Sequence, residues 1–224
     1  MPPSMKILAF DTSNAKCSVA IADGDRIMAT AFAPSPNQQA ELLLLLIEQA
    51  LEKAGLEYKD LDFLAVTTGP GSFTGVRIGL AAAEGIIMGS NIVPIGINSL
   101  EAINFRALEH ARNFDQSIVL MNAYRGQLYI QSFDSAGAAL SKPAIMNNQD
   151  VMDYLHSLSG EMVLTGSGLE FINPSFDAIM LPRFPLPNAR NLARLAYRKI
   201  RQNNYSTDLS PVYIRLPDAK VKAS

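Results

Sequence analysis

The sequence predicts an α/β fold built from two similar units. The N-terminal half reads as three strands followed by alternating helices and strands, which is the order of a layered α/β unit. The second half starts again with two strands joined by a short turn and continues with a helix, a strand and a helix. We therefore expect two α/β subdomains, each opening with a strand meander, over residues 1–104 and 105–188. The last segment, 189–224, is expected to be a helix and tail that pack back onto them.

In the first unit, "KILAFDTS" reads as a buried strand, and "CSVAIADGDRIMATAF" as two strands around a turn at Gly24. The segment "QQAELLLLLIEQALEKAG" predicts a helix that Gly55 ends, and "LDFLAVTTG" predicts the strand that follows it. A second helix is expected from Thr74 to Gly89, "NIVPIGI" is a strand, and "SLEAINFRALEHAR" is a helix with Ser99 as its N-cap.

In the second unit, "SIVLMNA" and "LYIQSFD" are strands joined by "YRGQ". The segment "NQDVMDYLHSLSG" predicts a helix, "EMVLTGSG" a strand and "NARNLARLAYRKIRQ" a final helix. Three prolines, Pro182, Pro185 and Pro187, mark a loop before that helix, and "SPVYIRLPDAK" reads as an extended tail.

Composition favours a cytoplasmic protein. The single cysteine, Cys17, cannot form an internal disulfide, so a reducing compartment fits and a cysteine-ligated metal site does not. The N-terminus lacks the pattern of a signal peptide, and no apolar run approaches the length of a membrane span.

The glycine-rich stretch "TTGPGSFTGVRIG" lies where many proteins bind phosphate, between a strand and a helix. No lysine follows Gly75, so the phosphate loop of nucleoside triphosphatases is absent, and the glycine spacing does not fit the dinucleotide fingerprint. Backbone amides at the helix start could still bind an anion, and a purely structural turn remains the alternative. The residues of this candidate anion or nucleotide loop are Asp11, Gly69, Gly71, Ser72, Thr74 and Arg77.

Two members of that loop have open interpretations. Arg77 lies near the helix start, where the helix dipole opposes a cation, so it needs a partner. That partner is an internal carboxylate such as Asp11 or Glu84, a bound anion, or an acidic group on another protein. Asp11 follows the first strand, where a magnesium site and a structural Asx turn are both reasonable.

Acid-base and nucleophilic catalysis have little support in the sequence. The two histidines, His110 and His156, lie in separate predicted helices, and there is no cluster of histidine and cysteine. A Ser-His-Asp hydrolase and a zinc peptidase are therefore weak alternatives.

Two helices have more apolar or small surface than one sheet can bury. The run Leu42 to Ile47 points all round its helix, and the next helix carries small residues at four-residue spacing. Packing within the chain would explain both, but we favour a joint surface offered to a partner. The predicted interface residues are Leu42, Leu43, Leu46, Gly75, Gly79, Ala82, Ala83 and Ile86.

Charge is unevenly distributed along the chain. Residues 1–182 contain 10 Lys and Arg against 19 Asp and Glu, and residues 183–224 contain 9 against 2. Four arginines of the last helix form a stripe at helical spacing, and they are either a solvated face or a tRNA contact: Arg190, Arg194, Arg198 and Arg201.

The motifs "KILAFDTS", "GPGSFTGVRIG" and "PVYIR", in this order, resemble those of the TsaB (YeaZ) family. The resemblance implies the actin/sugar-kinase/Hsp70-like (ASKHA) fold and a non-catalytic role. Family members pair with a larger paralogue, TsaD, which carries metal-binding histidines and transfers threonylcarbamoyl to the adenosine 3′ of the anticodon in tRNAs reading ANN codons. A small ATPase, TsaE, joins the pair.

The resemblance further implies that the two helices described above bind the paralogue, and that they form a homodimer in its absence. It implies no cofactor of this chain's own, with ATP or ADP and a metal on the partner subunits. A phosphate-handling ATPase of the same fold is the alternative from the enzyme class. Three positions depart from the family pattern, where Gln39 replaces a histidine and Asn122 and Gln127 replace acidic residues.

Overall fold

The structure is a computed structural model, and it describes residues 4–33, 38–173 and 176–215. Its first sheet has five strands in the order β3-β2-β1-β4-β5. The strands β1 to β3 are antiparallel, while β4 and β5 run parallel to β1. Their bounds are β1 Lys6–Asp11, β2 Ser18–Asp23, β3 Arg26–Phe32, β4 Phe63–Gly69 and β5 Val93–Asn98.

The second sheet repeats this order as β8-β7-β6-β9-β10, again with three antiparallel strands followed by two parallel ones. The predicted pair of α/β units, each opening with a meander, is therefore confirmed. The strands β8 and β10 were not predicted from the sequence. The bounds are β6 Gln116–Asn122, β7 Gln127–Asp134, β8 Ala144–Asn147, β9 Met162–Thr165 and β10 Ile179–Leu181.

In the described part of the chain, five α-helices cover these sheets: α1 Gln39–Ala54, α2 Phe73–Met88, α3 Ser99–Leu108, α4 Asn148–Ser157 and α5 Ala189–Arg201. Apolar residues of α1 and α2 pack against one face of the first sheet. Residues of α3 and α5 pack against its other face, and α3 also contacts the second sheet through Leu100 and Ile103. The helix α4 covers the far face of the second sheet. The molecule is thus layered, with α3 between the two sheets.

The helix ends agree with the sequence in most places. Gly55 ends α1 in a left-handed conformation, and the Ser72 side chain caps α2 by accepting a hydrogen bond from the Gly75 amide at 3.2 Å. The predicted cap of α3 is wrong, because the Asn98 side chain accepts from the Leu100 amide and Ser99 is the first helical residue. The predicted boundary between residues 104 and 105 falls inside α3.

The segment after α5 is extended and runs back along the first sheet. The amide of Gly96 donates to the carbonyl of Ser206 at 3.0 Å, and the amide of Val212 donates to the carbonyl of Thr68 at 2.8 Å. Residues 216–224 of the predicted tail lie outside the described residues. Within the described ranges, none of the helices has both the length and the apolar character needed to cross a membrane.

Candidate functional site

Asp11 is completely buried at the end of β1, and its two carboxylate oxygens are occupied by the chain itself. One oxygen accepts from the Ser13 amide and hydroxyl and from the Thr67 hydroxyl, and the other accepts from the Asn14 side chain. Burial raises the pKa of the Asp11 carboxyl, and these hydrogen bonds oppose the rise. The arrangement is an Asx turn in which both carboxylate oxygens already accept hydrogen bonds from the chain.

The glycine loop holds the chain that follows β1. The Ser72 amide donates to the Ser13 carbonyl at 2.7 Å, and a Cβ atom on Gly71 would overlap that same carbonyl. The Thr12 hydroxyl donates to the Gly75 carbonyl at 2.7 Å. The loop therefore locks α2 onto the β1–β2 connection. Anion binding by its remaining amides stays a prediction.

The glycine strip is not open to a partner, and that part of the predicted interface is wrong. A Cβ on Gly75 would overlap the Thr12 carbonyl oxygen, and one on Gly79 would overlap the Thr12 hydroxyl. Ala83 is completely buried in the core between α2 and the sheet. The close approach that these small residues permit is made by the protein's own β1–β2 connection. Gly85, by contrast, has nothing within 4 Å of a Cβ position and faces solvent.

The leucine run of α1 is divided between core and solvent. Leu43 and Leu46 are buried against the sheet, so they are not the surface that a partner could contact. Leu44 is 55% exposed and Leu45 48% exposed, and Leu42 is half-buried. The uncovered part of the run therefore lies at Leu44 and Leu45, which were not predicted as interface residues, and at Leu42, which was.

The helix α2, which packs beside α1, also carries apolar residues on its outward side. Ala82 and Ile86 are half-buried beside α1, and Ala81 and Met88 are exposed. Six residues of α1 and α2 are defined here as the apolar helix face: Leu42, Leu44, Leu45, Ala82, Ile86 and Met88. An apolar surface of this kind on two neighbouring helices is typical of a protein contact.

Arg77 has neither of the internal carboxylates considered from sequence as its partner. Its Nε donates to the Tyr213 hydroxyl at 2.8 Å, and its guanidinium lies 3.7 Å from the centre of the Phe73 ring. The Tyr213 ring centre is 5.6 Å away on another side. These three residues, Phe73, Arg77 and Tyr213, are called the Arg77 cluster below.

The "PVYIR" motif joins the two sheets. Tyr213 contacts α2, Ile214 packs into the core between α3 and the second sheet, and Arg215 reaches the β6–β7 turn. Arg215 donates to the Ala123 carbonyl at 2.9 Å and to the Gln127 side chain at 2.7 Å. The motif therefore fixes the two halves of the molecule relative to each other.

The three departures from the family pattern all have structural partners. Gln39 donates from its side chain to the Asn14 carbonyl at 2.6 Å. Asn122 accepts from the Tyr124 amide and donates to Glu170, and Gln127 accepts from Arg215. Each amide side chain makes a bond that stabilises a connection at the carboxyl ends of the strands.

Part of the basic stripe of α5 forms bonds within the protein. Arg194 bonds to Asp25 at 2.9 Å and to Glu109 at 2.6 Å, and Arg198 donates to the Ala136 carbonyl at 3.0 Å. Arg190, Arg198 and Arg201 are exposed. Among the described residues, Arg190 and Arg201 at the two ends of α5 form no side-chain bond comparable to that of Arg198.

The histidines stay apart from each other and from Asp11. The His110 ring is tilted against Phe184 with the ring centres 4.5 Å apart, and His156 packs edge-on against Phe176. Across the described ranges, no group of three or more His, Cys, Asp or Glu side chains is arranged to hold a metal ion.

Comparison with known proteins gives a consistent set of relatives. The family model described as tRNA N6-adenosine threonylcarbamoyltransferase (TsaD) matches residues 35–184. The tRNA threonylcarbamoyladenosine biosynthesis protein TsaB of Escherichia coli (strain K12) is 29% identical over 168 residues, covering 73% of this chain and 72% of that protein. The solved structure of YeaZ from Pseudomonas aeruginosa superposes with a TM-score of 0.77 at 21% identity, covering 93% of this chain and 99% of that one.

A less similar solved structure shares the fold. The ethanolamine utilization protein EutJ from Carboxydothermus hydrogenoformans superposes with a TM-score of 0.56 at 13% identity, over 87% of this chain and 90% of that one. The fold is of the actin/sugar-kinase/Hsp70-like type, as predicted.

Proposed function

Because the chain belongs to the TsaB (YeaZ) family of the glycoprotease-like superfamily, we propose that it is the non-catalytic scaffold subunit of a tRNA-modifying complex. The pathway is tRNA threonylcarbamoyladenosine biosynthesis, for which the E. coli relative is named. In this proposal the chain binds and activates the paralogue TsaD, which transfers threonylcarbamoyl to the adenosine 3′ of the anticodon. The ATPase TsaE joins them, and the nucleotide and metal belong to those partners.

The apolar helix face is the observation that carries the proposal. Leu44 and Leu45 are large, about half exposed and adjacent, on a helix whose inner side already fills the core. Burying apolar area stabilises association by about 25 cal/mol per Å² before the costs of docking. A paralogue of the same fold offers equivalent helices, so α1 and α2 of each protein can pack together. A second copy of this chain is the homodimeric form of the same contact.

The state of Asp11 favours a non-catalytic role. A carboxylate that activates water through magnesium needs free oxygens facing a substrate. The Asp11 oxygens accept hydrogen bonds from three residues of the same α/β unit and are shielded from solvent. The role proposed for Asp11 is therefore to hold the β1–β2 connection on which α2 rests.

The test is a binding measurement with matched leucines. Leu45→Glu places a charge in the apolar helix face, whereas Leu140→Glu places one at a leucine that is 58% exposed in the second half of the molecule. We expect Leu45→Glu to weaken binding to the cognate TsaD paralogue by tenfold or more, about 1.4 kcal/mol, and Leu140→Glu to leave it unchanged. Equal binding by wild type and Leu45→Glu would overturn the apolar helix face as the contact, and absence of binding by wild type would overturn the scaffold proposal.

Calorimetry of the isolated chain distinguishes the scaffold proposal from the enzyme alternative. Magnesium-dependent ATP binding that weakens in Asp11→Ala would favour a phosphate-handling ATPase. Binding of the paralogue without ATP binding by this chain alone is the outcome that the scaffold proposal expects.

A further inference from the structure

Arg77 is the exposed cation on the outward side of α2, a side whose other exposed residues are apolar or small except for the carboxylate of Glu84 two turns further along. It lies one turn before Ala81 and two turns before Gly85, so it shares the outward side of α2 with residues of the apolar helix face. In the described ranges no carboxylate forms an ion pair with it. Its contacts are the Tyr213 hydroxyl and the Phe73 and Tyr213 rings.

This environment fixes the direction of the guanidinium. Stacking on Phe73 at 3.7 Å and the bond from Nε to the Tyr213 hydroxyl at 2.8 Å hold the group over one ring and beside the other. The terminal nitrogens, which form the planar fork that binds a carboxylate with two parallel hydrogen bonds, remain available. An arginine already held in one orientation loses little side-chain freedom on binding.

The rings around it suit a protein partner. Phe73 is 51% exposed and Tyr213 48% exposed, and tyrosine, phenylalanine and arginine are enriched in protein interfaces. A polyanion fits less well, because residues 1–182 carry 10 basic against 19 acidic side chains. We propose that the Arg77 cluster is an anchor that binds one acidic side chain of the partner protein seated on the apolar helix face.

The anchor depends on the C-terminal segment. Tyr213 belongs to that segment, whose Val212 amide is bonded to Thr68 and whose Arg215 is bonded to the β6–β7 turn. The cluster is therefore complete when the segment lies across both sheets. The "PVYIR" motif accordingly has a second role, since it supplies Tyr213, one of the three residues of the cluster, as well as linking the two halves of the molecule.

This inference rests on the proposed function and is tested separately from it. The binding of the paralogue is measured for wild type, Arg77→Ala, Arg77→Lys and Tyr213→Phe, with Arg183→Ala as the control at an exposed arginine elsewhere. We expect Arg77→Ala to weaken binding about tenfold or more. Arg77→Lys keeps the charge but loses the fork, and Tyr213→Phe loses the acceptor for Nε, so each should lose affinity by a smaller factor.

A charge reversal identifies the partner group. Arg77→Glu should weaken binding more than Arg77→Ala, because it places a carboxylate opposite the partner's own. If wild type does not bind the paralogue, the proposed function fails. If wild type binds and the Arg77 variants bind equally well while their thermal unfolding is unchanged, this inference alone is overturned. Loss of affinity for RNA but not for the paralogue would also overturn it, in favour of a phosphate partner.

Discussion

The Thr12 carbonyl oxygen occupies the space that a side chain on Gly75 would need, and the Thr12 hydroxyl donates to the Gly75 carbonyl. Gly75→Ala should therefore destabilise the protein, because the obstructing atom is backbone and cannot rotate away. We expect a loss of about 2 kcal/mol or more in the free energy of unfolding. Urea denaturation followed by circular dichroism measures it.

Gly85→Ala is the matched control for that experiment. It lies in the same helix, with open space where the Cβ would stand. Alanine is favoured over glycine in a helix interior, so this variant should be more stable by about 0.5–1 kcal/mol. Equal destabilisation by the two substitutions would mean that the contact with Thr12 does not limit the size of residue 75.

Cys17 should be unreactive in the folded protein. It is 1% exposed, and burial, together with the nearby charge of Asp11, raises the pKa of its thiol to about 11. The reacting species is the thiolate, which is scarce at pH 8 and shielded from reagent. A disulfide reagent such as DTNB should label the thiol in denaturant and leave the native protein unlabelled over the same period. Rapid labelling of the native protein would contradict the burial of Cys17, the residue that precedes β2.

Asp11 should make stability depend on pH in a defined direction. Burial raises the folded-state pKa of this carboxyl above its ordinary value of 3.8, so the folded protein holds the proton more tightly than the unfolded chain. The contribution of protonated Asp11 to the free energy of unfolding is complete below the pKa that Asp11 has in the unfolded chain. It is lost as pH rises through the pKa that Asp11 has in the folded protein. The Asp11→Asn variant lacks the titrating group and should lack this component.

The free energy of unfolding of wild type and Asp11→Asn, measured from pH 4 to pH 8, checks the sign. The stability of wild type relative to Asp11→Asn should fall as pH rises. A difference that does not vary over this range would contradict the raised pKa. The Asn14 side chain faces the Asp11 carboxylate at 2.6 Å, so the amide of the variant meets a donor and should also lower stability at all pH values.

Short sequence patterns correctly predicted the features that depend on neighbouring residues, such as the ends of helices. Gly55 ends α1 and Ser72 caps α2, because each depends on a backbone angle or a side chain within a few residues. The strands β8 and β10 have four and three residues and form by pairing with distant strands, so their own sequences carry little signal.

The candidate site was harder to predict than the fold. Helical spacing distributed the leucines of α1 correctly around the helix, but it does not say which side meets the sheet, so Leu43 was selected and Leu45 was missed. The small residues of α2 correctly indicated close packing, and the element that approaches them is the β1–β2 connection. Tyr213 is far from Arg77 in sequence, and no local pattern connects the two.

The arginine stripe of α5 can be tested at its exposed ends. Arg190→Glu combined with Arg201→Glu should weaken tRNA binding by the assembled complex and reduce the slope of log affinity against log salt by about 2, one for each lost phosphate contact. Arg194→Glu is unsuitable for this purpose because it would face Asp25 and Glu109 and reduce stability. Unchanged affinity at low salt in the double variant would leave the stripe as a solvated face.

Arg215 should control the local stability of the β6–β7 turn. Tyr124 and Arg125 adopt left-handed backbone angles of 61° and 57°, which are uncommon for residues other than glycine. Arg215 bonds to the Ala123 carbonyl and the Gln127 side chain on either side of them. A hydrogen bond to a charged group contributes about 1.5–3 kcal/mol, so Arg215→Ala should let this turn open more often.

Hydrogen exchange measures that opening at the Ala123 and Gln127 amides, which are bonded to the Gln127 and Tyr124 carbonyls. Their exchange should accelerate by tenfold or more, about 1.4 kcal/mol, in Arg215→Ala. Amides of α4, which contacts neither Arg215 nor the turn in the described contacts, should keep their rates and serve as the internal control. If turn and helix accelerate together, Arg215 stabilises the whole fold, and its bonds are not a local lock on the turn.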